Sequence, residues 1–221
     1  MSDSAATLGH GAHEPFLQHH FESPEQQADA SRIGMWLFLV TEILLFGGLF
    51  VGFALMQSRH PEAFLHAHHH LDRTLGFINT VVLLTSSFTM VLAVRSAQTN
   101  DRRRLIVFLL LTIVCAGIFL GIKCVEYSHK FHEGLLPGSF YSHRGDPVPG
   151  EFMFFSFYFM MTGLHGIHIL AGMGLMCWLL RRAVRGDFSS RYNTPVDFVG
   201  LYWHLVDVIW IYLFPLLYLI R

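Results

Sequence analysis

Five long apolar stretches limit what this chain can fold into more than any other feature of its sequence. They lie near Ile33–Met56, Leu75–Val94, Leu105–Tyr127, Phe152–Leu180 and Val196–Ile220. A helix needs about 20 mostly apolar residues to cross the hydrocarbon core of a bilayer, and each stretch has that length. The stretches lack the alternation of a barrel strand and exceed its length of about 10 residues. The sequence therefore predicts an all-α, polytopic transmembrane bundle of about five helices.

The composition agrees with a membrane protein and excludes several other classes. Hydrophobic residues make up 52% of the 221 residues and charged residues only 14%, whereas a soluble chain carries roughly a quarter charged residues. The 15 Lys and Arg nearly balance the 16 Asp and Glu, which argues against a protein that binds nucleic acid. The first residues are polar, so we predict a mobile N-terminal tail over 1–31 and a transmembrane domain over 32–221.

The distribution of arginine predicts how the chain is oriented in the membrane. Arginines collect around the second and fourth polar loops, at Arg95, Arg102, Arg103, Arg104, Arg181, Arg182, Arg185 and Arg191. Cytoplasmic loops carry the excess of positive charge in membrane proteins. We therefore expect these loops and the N-terminus in the cytoplasm and, with five spans, the C-terminus outside.

Ionisable residues inside the spans need a reason, because each costs several kcal/mol in hydrocarbon. Glu42 lies in the middle of the first stretch. It is either a hydrogen-bonded carboxyl that ties helices together or a group whose protonation or lipid contact serves function. Lys123 and Glu126 are three residues apart and can pair on one helical face, which favours an ion pair near the membrane interface. Glu126 and His129 also have the spacing of a di-iron site, but the sequence contains no second Glu-x-x-His motif.

Histidines at helical spacing raise the possibility of a metal site. His165 and His168 lie on one face of the fourth stretch, where they could bind a metal or form hydrogen bonds to a neighbouring helix. The absence of a third ligand in this pattern favours packing. The run His66–His70 has no acidic neighbour closer along the chain than Asp72, so we expect no physiological metal site there.

The last stretch has a similar pair of polar residues. His204 and Asp207 lie on one face of the predicted helix, with Trp203 and Trp210 beside them. Asp207 can accept a hydrogen bond from an imidazole or from either indole, which would offset the cost of its burial. We interpret this group as a polar contact between helices.

Four segments together resemble subunit III of the haem–copper oxidases. Tyr202–Trp210, which reads YWHLVDVIW, resembles the last-helix signature of that family, and Phe157–His168 resembles its penultimate helix. Glu42 matches the intramembrane glutamate associated with carbodiimide labelling, and Phe119–Tyr127 resembles a further segment ending in Glu-Tyr. The family commonly has seven helices, and this chain is similar to the short bacterial members that lack the first two.

The resemblance implies a subunit III-like fold and a subunit that binds no redox cofactor of its own. Subunit I would carry the haems and copper, and this chain would pack against subunit I, subunit II and small subunits. The family holds phospholipid in a cleft between helices, which implies an intramembrane functional or lipid-cleft role for Glu42 and Glu126. It also implies polar helix-packing roles for a second set of residues, namely His165, His168, Trp203, His204 and Asp207.

The resemblance also implies the reaction of the assembly. A proton-pumping terminal oxidase of the aerobic respiratory chain, in the bacterial plasma membrane, would reduce oxygen to water with cytochrome c as electron donor. A quinol oxidase, or the related subunit of a nitric oxide reductase, is the alternative. Two alternatives are distant. An autonomous di-iron or histidine-box enzyme would need ligand spacings that the sequence lacks. A stand-alone ion channel would need a repeated polar stripe, which the sequence also lacks.

Overall fold

The computed structural model describes residues 21, 23–135, 150–189 and 192–220. Its regular elements are helices α1 (Pro24–Arg59), α2 (Pro61–Ala67), α3 (Arg73–Gln98), α4 (Arg102–Glu133), α5 (Glu151–Arg185) and α6 (Thr194–Tyr218), with a 3₁₀ turn at His68–His70. Within the described residues the β structure is limited to an isolated bridge between Ser189 and Tyr192. In the described part of the chain, five helices are long and apolar enough to cross a membrane, namely α1, α3, α4, α5 and α6. The predicted all-α fold with about five spans is confirmed.

The first helix begins earlier than the apolar pattern predicts. Helix α1 starts at Pro24, and the Ser23 hydroxyl accepts a hydrogen bond of 3.2 Å from the Gln26 N–H. A serine before a proline at the first helical position is a strong start signal, because the hydroxyl satisfies a free N–H and proline needs none. Residues 24–31 of the predicted tail are therefore helical, and residues 1–20 and 22 lie outside the described part.

Short polar signals also set the ends of α3 and α4. The Asp72 carboxylate accepts hydrogen bonds from the N–H groups of Thr74 and Leu75 at 2.8 and 3.2 Å. Asp101 does the same for the Arg104 N–H at 3.1 Å. Helix α4 ends at Glu133 and is followed by Gly134, whose φ of 73° suits a residue without a β-carbon.

The chain divides into two compact units, residues 1–42 and 43–221. The described part of the first unit contains the first half of α1. In the second unit, α3 packs on α4 and α6, and α5 packs on the same two helices, so these four form a closed ring. Close packing depends on small residues: a β-carbon on Gly172 of α5 would lie 2.7 Å from Cζ3 of Trp203 on α6.

The first polar loop contains a short helix that the sequence did not predict. Helix α2 packs against α5, and its Phe64 is fully buried. The Phe64 ring lies 5.1 Å from that of Phe53 and 5.5 Å from that of Phe154, edge to face in both pairs. These contacts hold the connection between α1 and α3 against the start of α5.

Candidate functional site

A buried charged pair joins three helices of the second unit. Lys123 and Glu126 of α4 are 7% and 3% exposed, and the lysine Nζ donates to Glu126 Oε2 at 2.9 Å. The other carboxylate oxygen, Oε1, accepts from the hydroxyls of Tyr158 and Tyr218 at 2.9 and 2.5 Å. Lys123 Nζ also donates to the Tyr218 hydroxyl at 2.8 Å. We call Lys123, Glu126, Tyr158 and Tyr218 the buried ion-pair cluster.

Aromatic rings surround the ammonium group of this cluster. Lys123 Nζ lies 4.9 Å from the ring of Trp210, 5.2 Å from that of Tyr158 and 5.4 Å from that of Tyr218. Faces of aromatic rings attract a cation most strongly where water is absent. Glu126 Oε1 accepts from hydroxyls of α5 and α6, and the Lys123 ammonium donates to the hydroxyl of α6, so the cluster cross-links α4 to both helices.

The sequence located this pair but not its surroundings. The three-residue spacing of Lys123 and Glu126 predicted that they would pair, and they do. Both side chains lie inside the bundle, and their expected depth near the membrane interface stays a prediction. Tyr158 and Tyr218 come from other helices, and no local pattern points to them as partners.

Hydroxyl groups of α3 form a row of contacts with the polar residues of α6. Trp203 Nε1 donates to Ser86 Oγ at 3.1 Å, and Trp210 Nε1 donates to Thr80 Oγ1 at the same distance. His204 Nδ1 lies 2.8 Å from Ser87 Oγ. The hydroxyl residues of this row lie on one apolar stretch of the sequence, but their contacts with α6 were not predicted from the sequence.

Asp207 does not have the partners that the sequence predicted. The indoles of Trp203 and Trp210 are directed to hydroxyls of α3, and His204 pairs with Ser87. The Ser87 hydroxyl lies beside the Asp207 carboxyl, yet within the described residues neither carboxyl oxygen has a hydrogen-bond partner. The side chain is 2% exposed. The hydroxyls of α3 compete for the donors, which is why the prediction failed.

The two histidines of α5 have different surroundings. His165 is fully buried between the rings of Phe119 and Trp210, with centroid distances of 5.5 and 5.2 Å, and within the described part of the chain its ring nitrogens have no hydrogen-bond partner. His168 Nδ1 donates to the Leu164 carbonyl at 2.8 Å, and its ring contacts Phe46. The two imidazoles therefore take separate packing positions.

Glu42 lies near the midpoint of α1 and is half-buried. Further along the same helix, Leu44 and Val51 are 69% and 61% exposed. Exposed apolar side chains of this size on a membrane-spanning helix suit contact with lipid or with another protein.

The histidine run of the first loop contacts a carboxylate from a distant part of the chain. His66 Nδ1 lies 3.1 Å from Glu151 Oε1, and His70 Nε2 lies 3.5 Å from the same oxygen. His68, inside the run, differs from them: burial lowers the pKa of its imidazole, and its Nε2 accepts from Arg73 at 2.9 Å.

Comparison with known proteins identifies similar chains over nearly the whole length. A family model described as cytochrome c oxidase subunit III matches residues 14–220. A protein of Staphylococcus haemolyticus named probable quinol oxidase subunit 3 is 30% identical over 203 residues, which cover 90% of this chain and 93% of the relative. A protein of the same name from Staphylococcus saprophyticus is 30% identical, and the match covers 100% of this chain and 97% of the relative. Another from Staphylococcus epidermidis is 29% identical, and the match covers 90% of this chain and 93% of the relative.

Proposed function

Because the chain belongs to the cytochrome c oxidase subunit III family, we propose that it is the non-redox subunit III of a proton-pumping terminal oxidase. In this proposal the chain packs against the subunits that carry the haems and copper. It binds no redox cofactor itself and supports proton uptake and sustained turnover. The reaction of the assembly is the reduction of oxygen to water.

One observation carries the non-catalytic role most directly. The charged groups of the buried ion-pair cluster bind within the cluster: the Glu126 carboxylate accepts from Lys123, Tyr158 and Tyr218. A catalytic carboxylate needs access to a substrate or to a proton path, whereas these oxygens are occupied by groups on three helices. The arrangement supports a role for Glu126 in holding the bundle together.

The proposed lipid contact depends on Glu42 alone. Glu42 matches the intramembrane glutamate of the family in the resemblance. After Ile43, the same helix carries exposed apolar side chains. A carboxyl at mid-membrane depth that meets lipid would influence how tightly phospholipid is held. We therefore assign the lipid-cleft role to Glu42 and the structural role to Glu126.

The proposed orientation has support from the basic residues at one end of the bundle. The Arg102 guanidinium at the start of α4 donates to the Ala183 carbonyl at 2.9 Å and to the Val184 carbonyl at the end of α5. The arginines at the start of α4 and those at the end of α5 therefore lie at the same end of the bundle. The positive-inside rule assigns that end to the cytoplasm of a bacterial plasma membrane, with the N-terminus on the same side.

The electron donor has two candidates. The resemblance points to reduced cytochrome c as donor. The relatives described above are named probable quinol oxidase subunit 3, which supports a quinol as the second candidate. The donor-binding residues belong to other subunits in either case. Oxygen consumption by the complex, purified through a tag on this chain, tests the proposal when reduced cytochrome c and a quinol are supplied separately. Consumption with one donor supports the oxidase and identifies the donor, and consumption with neither argues against an oxidase.

A further inference from the structure

We propose that His66, His70 and Glu151 form a binding site for a divalent transition-metal ion, with Zn²⁺ as the ion that fits best. One ligand atom from each residue lies within 4.8 Å of the other two. These residues are not among those that carry the family resemblance, and the acidic partner that the histidine run lacks along the chain is Glu151, 85 residues from His66. Two imidazoles and one carboxylate are the ligand set of several three-residue zinc sites, which leave a fourth position for water.

The backbone brings the two histidines together. His66 lies in the last turn of α2 and His70 ends the 3₁₀ turn that follows. The two residues are therefore about one helical turn apart. Their ring centroids are 5.6 Å apart. The His70 carbonyl accepts a hydrogen bond from Lys130 of α4, which fixes this end of the site, and Glu133 pairs with the Lys130 ammonium at 3.0 Å.

The carboxylate comes from the first residue of α5. Gly150 precedes it with a φ of 98°, a left-handed conformation that a residue with a β-carbon rarely adopts. A β-carbon there would also lie 3.5 Å from the ring of His60. The turn at Gly150 brings the Glu151 side chain under the histidine run, where it is only 1% exposed. A carboxylate buried to this degree is stable when it pairs with donors or coordinates a metal.

Two of the three distances between ligand atoms match the size of a zinc coordination sphere. With bonds of about 2.0–2.1 Å, the ligand atoms around tetrahedral zinc are about 3.4 Å apart. The two contacts to Glu151 Oε1, at 3.1 and 3.5 Å, bracket that value. His66 is about half exposed and its ring can turn to complete the set, while His70 and Glu151 are held by their neighbours. Bound metal would fasten the first loop to the start of α5.

Equilibrium dialysis of the full-length chain against buffered Zn²⁺ tests the proposal. The chain is purified in mild detergent with any attached subunits, and bound zinc is counted by atomic emission. We expect a tight class of sites that His66→Ala and His70→Ala each weaken by about tenfold or more, since loss of even a supporting residue of a metal site costs this much. Glu151→Gln should have the same effect.

His69→Ala is the matched control. It removes a histidine from the same run that is not among the three clustered residues, and it should leave the tight class unchanged. Equal weakening by His69→Ala would mean that the run binds metal without a defined site and would overturn the proposal. Wild-type zinc affinity in the His66→Ala, His70→Ala double variant would overturn it as well. Because His66 is half exposed, its variant tests the site even if Glu151→Gln does not fold.

Discussion

Replacing Lys123 by methionine should destabilise the chain strongly, because it removes the countercharge of a buried carboxylate. Glu126 is 3% exposed and would keep only its two tyrosine donors. Removing one member of a buried, hydrogen-bonded ion pair costs about 3–5 kcal/mol, since the remaining charge is left in a medium of low dielectric. We expect a loss of this size in the free energy of unfolding, measured by denaturant titration in mixed micelles.

The double variant Lys123→Met, Glu126→Gln separates charge burial from lost packing. Removing both charges abolishes the unpaired group, and uncharged replacements of buried pairs are often close to neutral. We therefore expect the double variant to be more stable than either single variant, with a coupling energy of at least about 2 kcal/mol in the cycle. Additive effects, or a Lys123→Met variant within about 1 kcal/mol of the wild type, would refute the reasoning.

Lys130 and Glu133 provide a matched control on the same helix. They have the same order and spacing as Lys123 and Glu126 and a similar distance of 3.0 Å. The carboxylate of Glu133, however, is 45% exposed, compared with 3% for Glu126. Lys130 is only 6% exposed, but water solvates the Glu133 carboxylate and weakens its attraction to the ammonium. The coupling energy for this pair should therefore be at most about 1 kcal/mol.

Two further predictions follow from single contacts in the bundle, and a third follows from the proposed role of Glu42. Gly172→Ala should cost about 1–3 kcal/mol of unfolding free energy, because the added methyl group overpacks against Trp203. Gly174→Ala is the control and should be tolerated, since a β-carbon there meets nothing within 4 Å. Equal effects of the two substitutions would contradict the packing. Ser86→Ala leaves the Trp203 indole N–H without its acceptor, at an expected cost of about 1–3 kcal/mol in the same titration; an unchanged midpoint would argue against that bond. Glu42→Gln should lower sustained turnover or phospholipid retention of the purified complex and leave its haem content unchanged, and loss of haem would show that Glu42 is structural instead.

The sequence predicted the spans well because length and apolar character alone determine them. The stretch Leu105–Tyr127 lies inside α4, and Phe152–Leu180 lies inside α5. Features set by a few residues were missed: the start at Ser23 and Pro24 depends on one cap, and α2 is stabilised by contacts of Phe64 with rings from α1 and α5. These are tertiary contacts, which hydropathy does not report.

The site was predictable only where its residues are neighbours on one helix. Lys123 and Glu126 are three apart, so their pairing follows from helical geometry. Tyr218 reaches Glu126 across 92 residues, and Glu151 reaches His66 across 85. For Asp207, the sequence predicted hydrogen bonds from donors nearby on the same helix. In the packed bundle the indoles of Trp203 and Trp210 donate to hydroxyls on α3 instead.

The central claim is that this chain is a non-redox member of a haem-containing oxidase. It is tested most directly by purifying the complex in mild detergent through a tag on this chain, and then stripping the partner subunits away while recording reduced-minus-oxidised spectra. We expect haem bands in the intact complex and a colourless, inactive chain once the partners are removed. Haem or oxidase activity retained by the stripped chain, or the absence of haem from the intact preparation, would contradict the account.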